Sequence, residues 1–567
     1  MIFLLVSLLI FGLSLTGAGC FAGRLFGFRS ARNPWIYWWF GFLTVSTLAM
    51  FSSLFFPVNT ISLMVFFVIG IAGLPLLLRE YKRSIEREAS ERESKTLITI
   101  FVYCAVAFLF GIACLLSVTE LMGAYDTALY HAQTVRWMNE YVTPPGLGNV
   151  HTRLAFNSSW LSFGALLDNG PWDNRSECLL PALCWIGAFL YFLHELLFAR
   201  RKGVQLYALC ILAWSLYSVI HISPNLYYDM PVHVINAIVA LEVYYTLAGT
   251  QDNPLGERTN GITGILLLSV GAFMIKPIGA VSVLFTGVLT VFLLWQNKKP
   301  LTAWVKTLCP ALFALGVWVV RNIILSGYPL YPLPILPLPL DWTMTHAATQ
   351  DNYIAVLGWA RMPGPGYRES LDNGFLFWFK PWLAGNLSSR DFLVWAAFPV
   401  LLSTFFWILV VRFAKSRKAL FFMAWSNLNI LYWFLTAPDS RFGSGFFWVA
   451  LALSLLCLFA AESAFPFSDL WNNKIVRWTF RYVWVLAIIG SMGMTVVSSK
   501  RSFFTVGTAQ SFPVKEYTVE ADTPWTIWIP LDPSEDRTGN SPLPSAPGPV
   551  NIEMRKPGDL AQGFRHN

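Results

Sequence analysis

Hydrophobic and polar positions fall in long blocks along this chain, with apolar runs separated by short polar connectors. A bilayer crossing needs about 17–25 apolar residues, fewer where spans are paired. By that measure about fourteen spans are predicted, near 3–22, 35–56, 59–78, 97–118, 179–199, 204–222, 231–248, 262–275, 278–295, 303–321, 392–411, 419–436, 443–462 and 482–498. The eighth and ninth come from one stretch interrupted at Lys276-Pro277. The pattern predicts an all-α polytopic membrane protein. Met1 to Leu9 carry no charge and the first arginine, Arg24, follows the apolar run. A secretory signal peptide has the reverse order, so a retained span with its N-terminus outside is expected. LTGAGC, ending at Cys20, lacks the large apolar residue that a lipoprotein box carries three positions before its cysteine.

Composition agrees with this class. Hydrophobic residues make up 55% and charged residues 13%, with a mean hydropathy of +0.53; a soluble domain has roughly 25% charged residues. The 25 Trp and 46 Phe suit interfacial belts and lipid-facing helix surfaces. The net charge of +8 does not indicate nucleic acid, because the cations are spread as topological markers. They gather in alternate loops: Arg24/Arg29/Arg32, Arg79 to Lys95, Arg200-Arg201-Lys202, Lys298-Lys299, Arg412 to Lys418, and Lys474/Arg477/Arg481. The positive-inside rule places these in the cytoplasm. Loops 119–178 and 322–391 and the C-terminal tail then face outward. This divides the chain into N-terminal additional helices and a cytoplasmic linker (1–96), a main transmembrane domain with the large outer loops (97–498) and an outward-facing tail (499–567). The run 79–95 alternates in sign and reads as a solvated helical extension. Prolines in SGYPLYPLPILPLPL, from Ser326, enforce an extended path. In the tail, TPWTIWIP is strand-like, its first part is expected to pack on the outer face, and its last thirty or so residues to wander. The cysteines lie mostly within spans, and no Cys-x-x-Cys or His-x-x-x-His occurs, so neither a disulfide framework nor structural zinc is expected.

The exception to the apolar pattern is Tyr125 to Trp160, YDTALYHAQTVRWMNEYVTPPGLGNVHTRLAFNSSW. On a helical wheel for 125–138, Ala128, Leu129, Ala132 and Val135 share one face, and Asp126, Tyr130, Gln133 and Trp137 the other. That is the pattern of an interfacial helix with a polar, aromatic upper side. His131 lies about 140° from Asp126 on this wheel, which disfavours a local Asp–His dyad. A turn, PPGLGN, follows, and then a donor-rich segment with His151, Arg153, Asn157 and Ser158. Lys276, Arg321 and Arg441 stand at predicted outer boundaries, where ionisable residues are functional candidates by default. Each candidate has a plainer alternative. Asp126 caps its helix; Lys276 and Arg321 snorkel to headgroups; Arg441 pairs with Asp439; Asp229 caps the next helix; and His131 and His151 are structural.

The order of these features resembles the GT-C glycosyltransferases, which use polyprenyl-phosphate-linked sugars and include protein O-mannosyltransferases and lipid A aminoarabinose transferases. An Asp opens the first large outer loop, an amphipathic helix follows, and a His/Arg/Asn segment comes next. LYYDMP (226–231), MIKP (274–277), WVVRNIILSGYPLYP (318–332) and PDSRFGSGFFW (438–448) continue the likeness over roughly 97–460. Thr127 stands where the familiar Asp-Glu pair has Glu. The resemblance implies a GT-C-like bundle of about fourteen helices with interfacial helices in the first outer loop, in a bacterial cytoplasmic membrane. It implies an inverting transfer to an envelope glycan, lipid or protein, with Asp126 as general base and the active site facing the periplasm or exterior. His131, His151, Arg153, Asn157, Asp229, Lys276, Arg321, Asp439 and Arg441 would bind substrate. Nothing in the sequence calls for a metal or a cofactor. Two other classes remain open: a transporter or flippase of lipid-linked saccharide, and an O-antigen ligase or polymerase.

Overall fold

A computed structural model describes residues 2–28, 32–89, 95–118, 124–220, 225–248, 255–413, 416–460 and 511–566, together with 483, 489 and 490. Four helices lead: α1 (Ile2–Leu25), α2 (Ile36–Ser52), α3 (Thr60–Ala89) and α4 (Lys95–Ser117). The first large loop holds a π-helical turn (Thr127–His131), α5 (Ala132–Glu140) and α6 (Ser159–Leu167). Then come α7 (Ser176–Phe198), α8 (Lys202–Ile220), α9 (Asp229–Ala248), α10 (Leu255–Ile275), α11 (Ala280–Gln296) and α12 (Leu301–Ser326). The second large loop carries α13 (His346–Arg361), α14 (Glu369–Asp372), α15 (Phe375–Leu387) and α16 (Arg390–Phe392). A second π turn (Leu393–Ala397) leads into α17 (Phe398–Phe413), followed by α18 (Arg417–Thr436) and α19 (Ser440–Ala460).

Ten helices are long and apolar enough to cross a bilayer, and three shorter apolar helices lie at 36–52, 202–216 and 261–275. These thirteen sit where thirteen of the fourteen spans were expected. The fourteenth, 482–498, and the basic loop Lys474/Arg477/Arg481 lie outside the described residues. The chain is a multi-pass helical membrane protein. Burial divides the bundle into centre and rim: 89% of the apolar window of α7 and 78% of those of α9 and α19 are buried, against 22% for α3 and 28% for α17. The helices that start at the future site, α9 and α19, are therefore central.

Helices α1 and α2 pack unusually closely, because each presents glycine to the other. A Cβ on Gly41 would stand 1.8 Å from the Leu15 carbonyl oxygen. Without a hydrophobic drive between helices in lipid, such small residues let backbones approach and gain dispersion contact.

The tail departs from the expectation of a wandering end. β1 (Val514–Val519) and β2 (Trp525–Pro530) form an antiparallel hairpin, and β3 (Ile552–Met554) pairs with β4 (Phe564–His566). Val519, Ile527, Ile552 and Phe564 are buried against Leu129, Trp137, Leu147 and Leu154 of the first loop in a second apolar core. Gly146 of the PPGLGN turn adopts φ 68°. A Cβ there would lie 2.2 Å from the Phe564 carbonyl oxygen. Apolar residues scattered through a Pro/Gly-rich segment thus found their partners in a loop some 400 positions earlier.

The same contact corrects the interfacial-helix expectation. Its predicted polar face is covered by protein: Tyr130, Gln133 and Trp137 are as buried as Ala128, Leu129 and Val135.

Candidate functional site

Asp126 immediately precedes the π turn that leads into α5, and such turns are frequent at functional sites. Its carboxylate makes no capping hydrogen bond to the helix. Instead Oδ1 accepts from Arg153 Nη1 at 3.2 Å and Oδ2 from Arg441 Nη2 at 3.5 Å. Arg441, in the first turn of α19, is shared: its Nε lies 3.4 Å from Asp229 Oδ2. Its guanidinium also lies 4.7 Å from the centre of the Tyr227 ring. Asp229, the first residue of α9, receives Lys276 Nζ at 2.5 Å. Lys276 sits in the break between α10 and α11, with extended backbone (φ −154°, ψ 133°). Pro277 has no amide with which to continue the helix. The Lys276 ammonium lies 3.5 Å from the Phe442 ring centre.

Five candidates from five separate stretches, Asp126, Arg153, Asp229, Lys276 and Arg441, thus converge in one cluster of three cations and two carboxylates. Asp439 joins it through the backbone, its Oδ1 accepting the Arg441 amide at 2.8 Å. The Arg441 guanidinium is directed to Asp126 and Asp229. The cluster is graded in exposure, with the Asp126 side chain 20% exposed and that of Asp229 6%. Asp126 is the accessible carboxylate.

The other candidates make no hydrogen bond to these side chains among the described residues, although His131 lies within electrostatic reach of Asp229, Arg441, Arg153 and Lys276. His131 is buried among Tyr130, Tyr227 and Tyr228. Burial holds its imidazole well below the usual pKa, hence neutral. Its Nδ1 is 3.4 Å from Thr127 Oγ1. His151 is half-buried before a short helix at 152–155, and burial, then the neighbouring Arg153 charge, push it down to about 3. Among the described residues its ring makes no hydrogen bond to the cluster. Asn157 and Arg321 form a separate buried arrangement: Arg321 Nη1 donates to Asn157 Oδ1 at 2.8 Å, and Asn157 Nδ2 to the Trp318 carbonyl at 2.8 Å. Arg321 has no carboxylate within ion-pair distance among the described residues.

A cavity of about 280 Å³ opens beside Asp229 and Arg441, walled by Trp160, Trp185, Tyr227 and Trp395, with Asp391 at its lining. Sequence reasoning missed Trp395 and Asp391, which lie at the second π turn and its approach. They stood at the edge of an apolar span and looked like its boundary. The signal was an acid followed four positions later by Trp at a span mouth. Also missed was the pair Tyr130 and Tyr228, whose hydroxyls bond at 2.8 Å. Burial pushes both phenols up, so they remain protonated donors.

The tail fixes the loop that carries Asp126. Gly539 N donates to the Ala128 carbonyl at 2.7 Å. Gln133 Nε2 donates to the Gly539 and Ser541 carbonyls at 2.8 and 3.0 Å. Tyr125, beside Asp126, hydrogen-bonds Asp536.

The family model described as "Domain of unknown function (DUF8201)" matches residues 1–448. The chain belongs to this family. No curated protein and no solved structure matched the chain. The DUF8201 match includes every residue of the ion cluster and of the cavity wall, and it stops within α19. The strands of the tail that brace the Asp126 loop lie beyond it.

Proposed function

We propose that this protein is an integral membrane glycosyltransferase of GT-C type, moving a sugar from a polyprenyl-phosphate carrier to an envelope glycan, lipid or protein on the outer face of a bacterial cytoplasmic membrane. One observation carries the reading: an accessible carboxylate with no capping role, Asp126, shares an ion cluster with Arg153, Arg441 and Lys276 beside an aromatic-walled cavity. Transfer needs a base at the acceptor and cations at the departing phosphate. The acceptor oxygen or nitrogen attacks the anomeric carbon as the bond from that carbon to the phosphate oxygen breaks. Asp126 takes the acceptor proton, and the phosphate leaves with the bonding electrons toward Arg441 and Lys276. A carboxylate clamped by two guanidiniums is a weak base. The reading therefore has the incoming phosphate draw Arg441, whose contact with Asp126 is the longer one, away from the carboxylate. Tryptophans facing the cavity would supply apolar faces for the sugar ring and the first isoprene units.

The test is mass spectrometry of envelope glycans and polyprenyl-linked sugars in a deletion strain, complemented with wild type or Asp126→Asn at matched membrane abundance. Loss of one sugar from the envelope, accumulation of its polyprenyl-monophosphate form, and no rescue by Asp126→Asn are expected. Accumulation of a diphosphate-linked oligosaccharide instead would point to the ligase or polymerase class.

A second reading, a transporter of lipid-linked saccharide, draws on the helix break at Lys276-Pro277 and its ion pair with Asp229, since broken helices with buried charge are common in transporters. Full rescue by Asp126→Asn, with the lipid-linked sugar trapped on the cytoplasmic leaflet in the deletion strain, would favour it.

A further inference from the structure

At the end of the bundle remote from Asp126 a second cavity, about 610 Å³, is enclosed by the ends of α8, α9, α18 and α19. α9 and α19 both begin at the ion cluster and are 20 and 21 residues long, so the two sites lie about 30 Å apart along the helices. Three cations line the cavity: Arg201, Lys202 and Lys418. Arg201 stacks over the Tyr244 ring at 5.8 Å, and Lys418 Nζ donates to the Leu247 carbonyl at 2.6 Å. Both head groups are thereby held at the cavity. The amino ends of two helices point there as well. α8 starts at Lys202, and α18 starts after Ser416, whose hydroxyl makes no capping bond. Helix amino termini carry partial positive charge and attract anions. The inner wall of the cavity is apolar, formed by Ala248, Phe422, Cys457 and Phe459.

Basic loop residues are common at one face of membrane proteins as orientation markers. Here they surround a pocket whose far wall is apolar, a layout suited to a molecule with a charged and an apolar part. We propose that this cavity is a binding site for a phosphate-bearing anion, with the phosphate between Arg201, Lys202, Lys418 and the start of α18, and with any apolar part against Phe422 and Phe459. A lipid phosphodiester and free phosphate share this chemistry. The proposal is independent of the glycosyltransferase reading.

The test uses purified full-length protein in neutral detergent, with phosphatidylglycerol, phosphatidylcholine or inorganic phosphate added and bound ligand read by native mass spectrometry. Wild type is expected to retain phosphatidylglycerol at least about tenfold better than phosphatidylcholine, since about 1 kcal/mol per nearby cation is typical for anionic lipid. Replacing two cations, Arg201→Ala with Lys418→Ala, should weaken retention roughly thirtyfold. Ala248→Phe keeps every charge and fills the cavity, and it should weaken retention comparably. If millimolar inorganic phosphate binds at the same residues and displaces the lipid, the phosphate group alone suffices. If it does neither, while phosphatidylglycerol binds as expected, the lipid is the ligand. Equal retention of both lipids by wild type, with no phosphate bound, overturns the proposal. Unchanged retention in Ala248→Phe overturns it too, because the anion would then be held by surface charge outside the cavity.

Discussion

Two clusters of charge stand at opposite ends of the bundle among the described residues, and they differ in how closely their carboxylates are held. At the basic end, Arg32 Nη2 donates to Glu242 Oε1 at 2.6 Å, and the same oxygen accepts from the Tyr191 hydroxyl at 2.6 Å. Glu195 accepts from Asn33 Nδ2 at 2.9 Å and from the Tyr245 hydroxyl at 2.7 Å. The Arg32 guanidinium lies 3.3 Å from the Tyr245 ring centre. These bonds are short and join α7 and α9 to the segment between α1 and α2. At the other end, Asp126 has contacts of 3.2 and 3.5 Å and opens toward solvent. The two glutamates of the first cluster each accept from two donors at short distance, whereas Asp126 holds only longer contacts and can exchange partners. The first cluster holds helices together; under the proposed function the second is where substrate binds.

Substitutions can break this contrast. The largest expected effect is on the open cluster: under the proposed function, Asp126→Asn should lower sugar transfer by about 10²–10⁴-fold, the range for loss of a general base. Melting temperature should move little, because the two contacts cut are long and partly exposed and Arg441 keeps Asp229. A large fall in melting temperature with transfer per folded molecule intact would reverse the assignment of roles. Next is Glu242→Ala in the first cluster. It leaves the buried Tyr191 hydroxyl without its acceptor while Arg32 keeps Glu195, and should cost about 1–3 kcal/mol, read as a lower unfolding temperature and lower membrane abundance at unchanged specific activity.

Gln133→Ala should cost about 1–3 kcal/mol, because the buried Gly539 carbonyl loses the Gln133 amide and the Ser541 carbonyl keeps only Arg136. Proteolysis should then cut the tail faster, which would show that the tail braces the loop. The smallest effect is pH-dependent. His151 titrates near 3 when folded and near 6.5 when unfolded. Because the folded value is the lower one, stability is fully present above pH 6.5 and declines as pH falls toward 3, where the unfolded chain binds the extra proton. Thermal unfolding at pH 7.5 and 5 should show a smaller difference for His151→Gln than for wild type.

Much of this was legible in the chain. Ile2–Leu25, Ser176–Phe198 and Ser440–Ala460 are helices where apolar runs required them, because a backbone in lipid must satisfy its own hydrogen bonds. The break at Lys276-Pro277 was visible because proline cannot continue a helix. Asp126, Asp229, Lys276 and Arg441 drew notice as charges at span boundaries, where desolvation makes an ionisable residue costly without a use. What the sequence could not give was their meeting, since they lie up to 315 positions apart and only the packing of α9, α10 and α19 joins them. Nor could it separate Arg321 and Asn157, which bond each other, from Arg153, which reaches Asp126. The tail shows the same limit. Its sparse apolar residues read as disorder because each lacks a partner nearby in sequence, and they order only against the first loop. The sequence by itself determined the spans and the inventory of charge, because burial in lipid is decided residue by residue. The tertiary structure alone decided which charges are held at short distance and which stay open, because that depends on distances between helices.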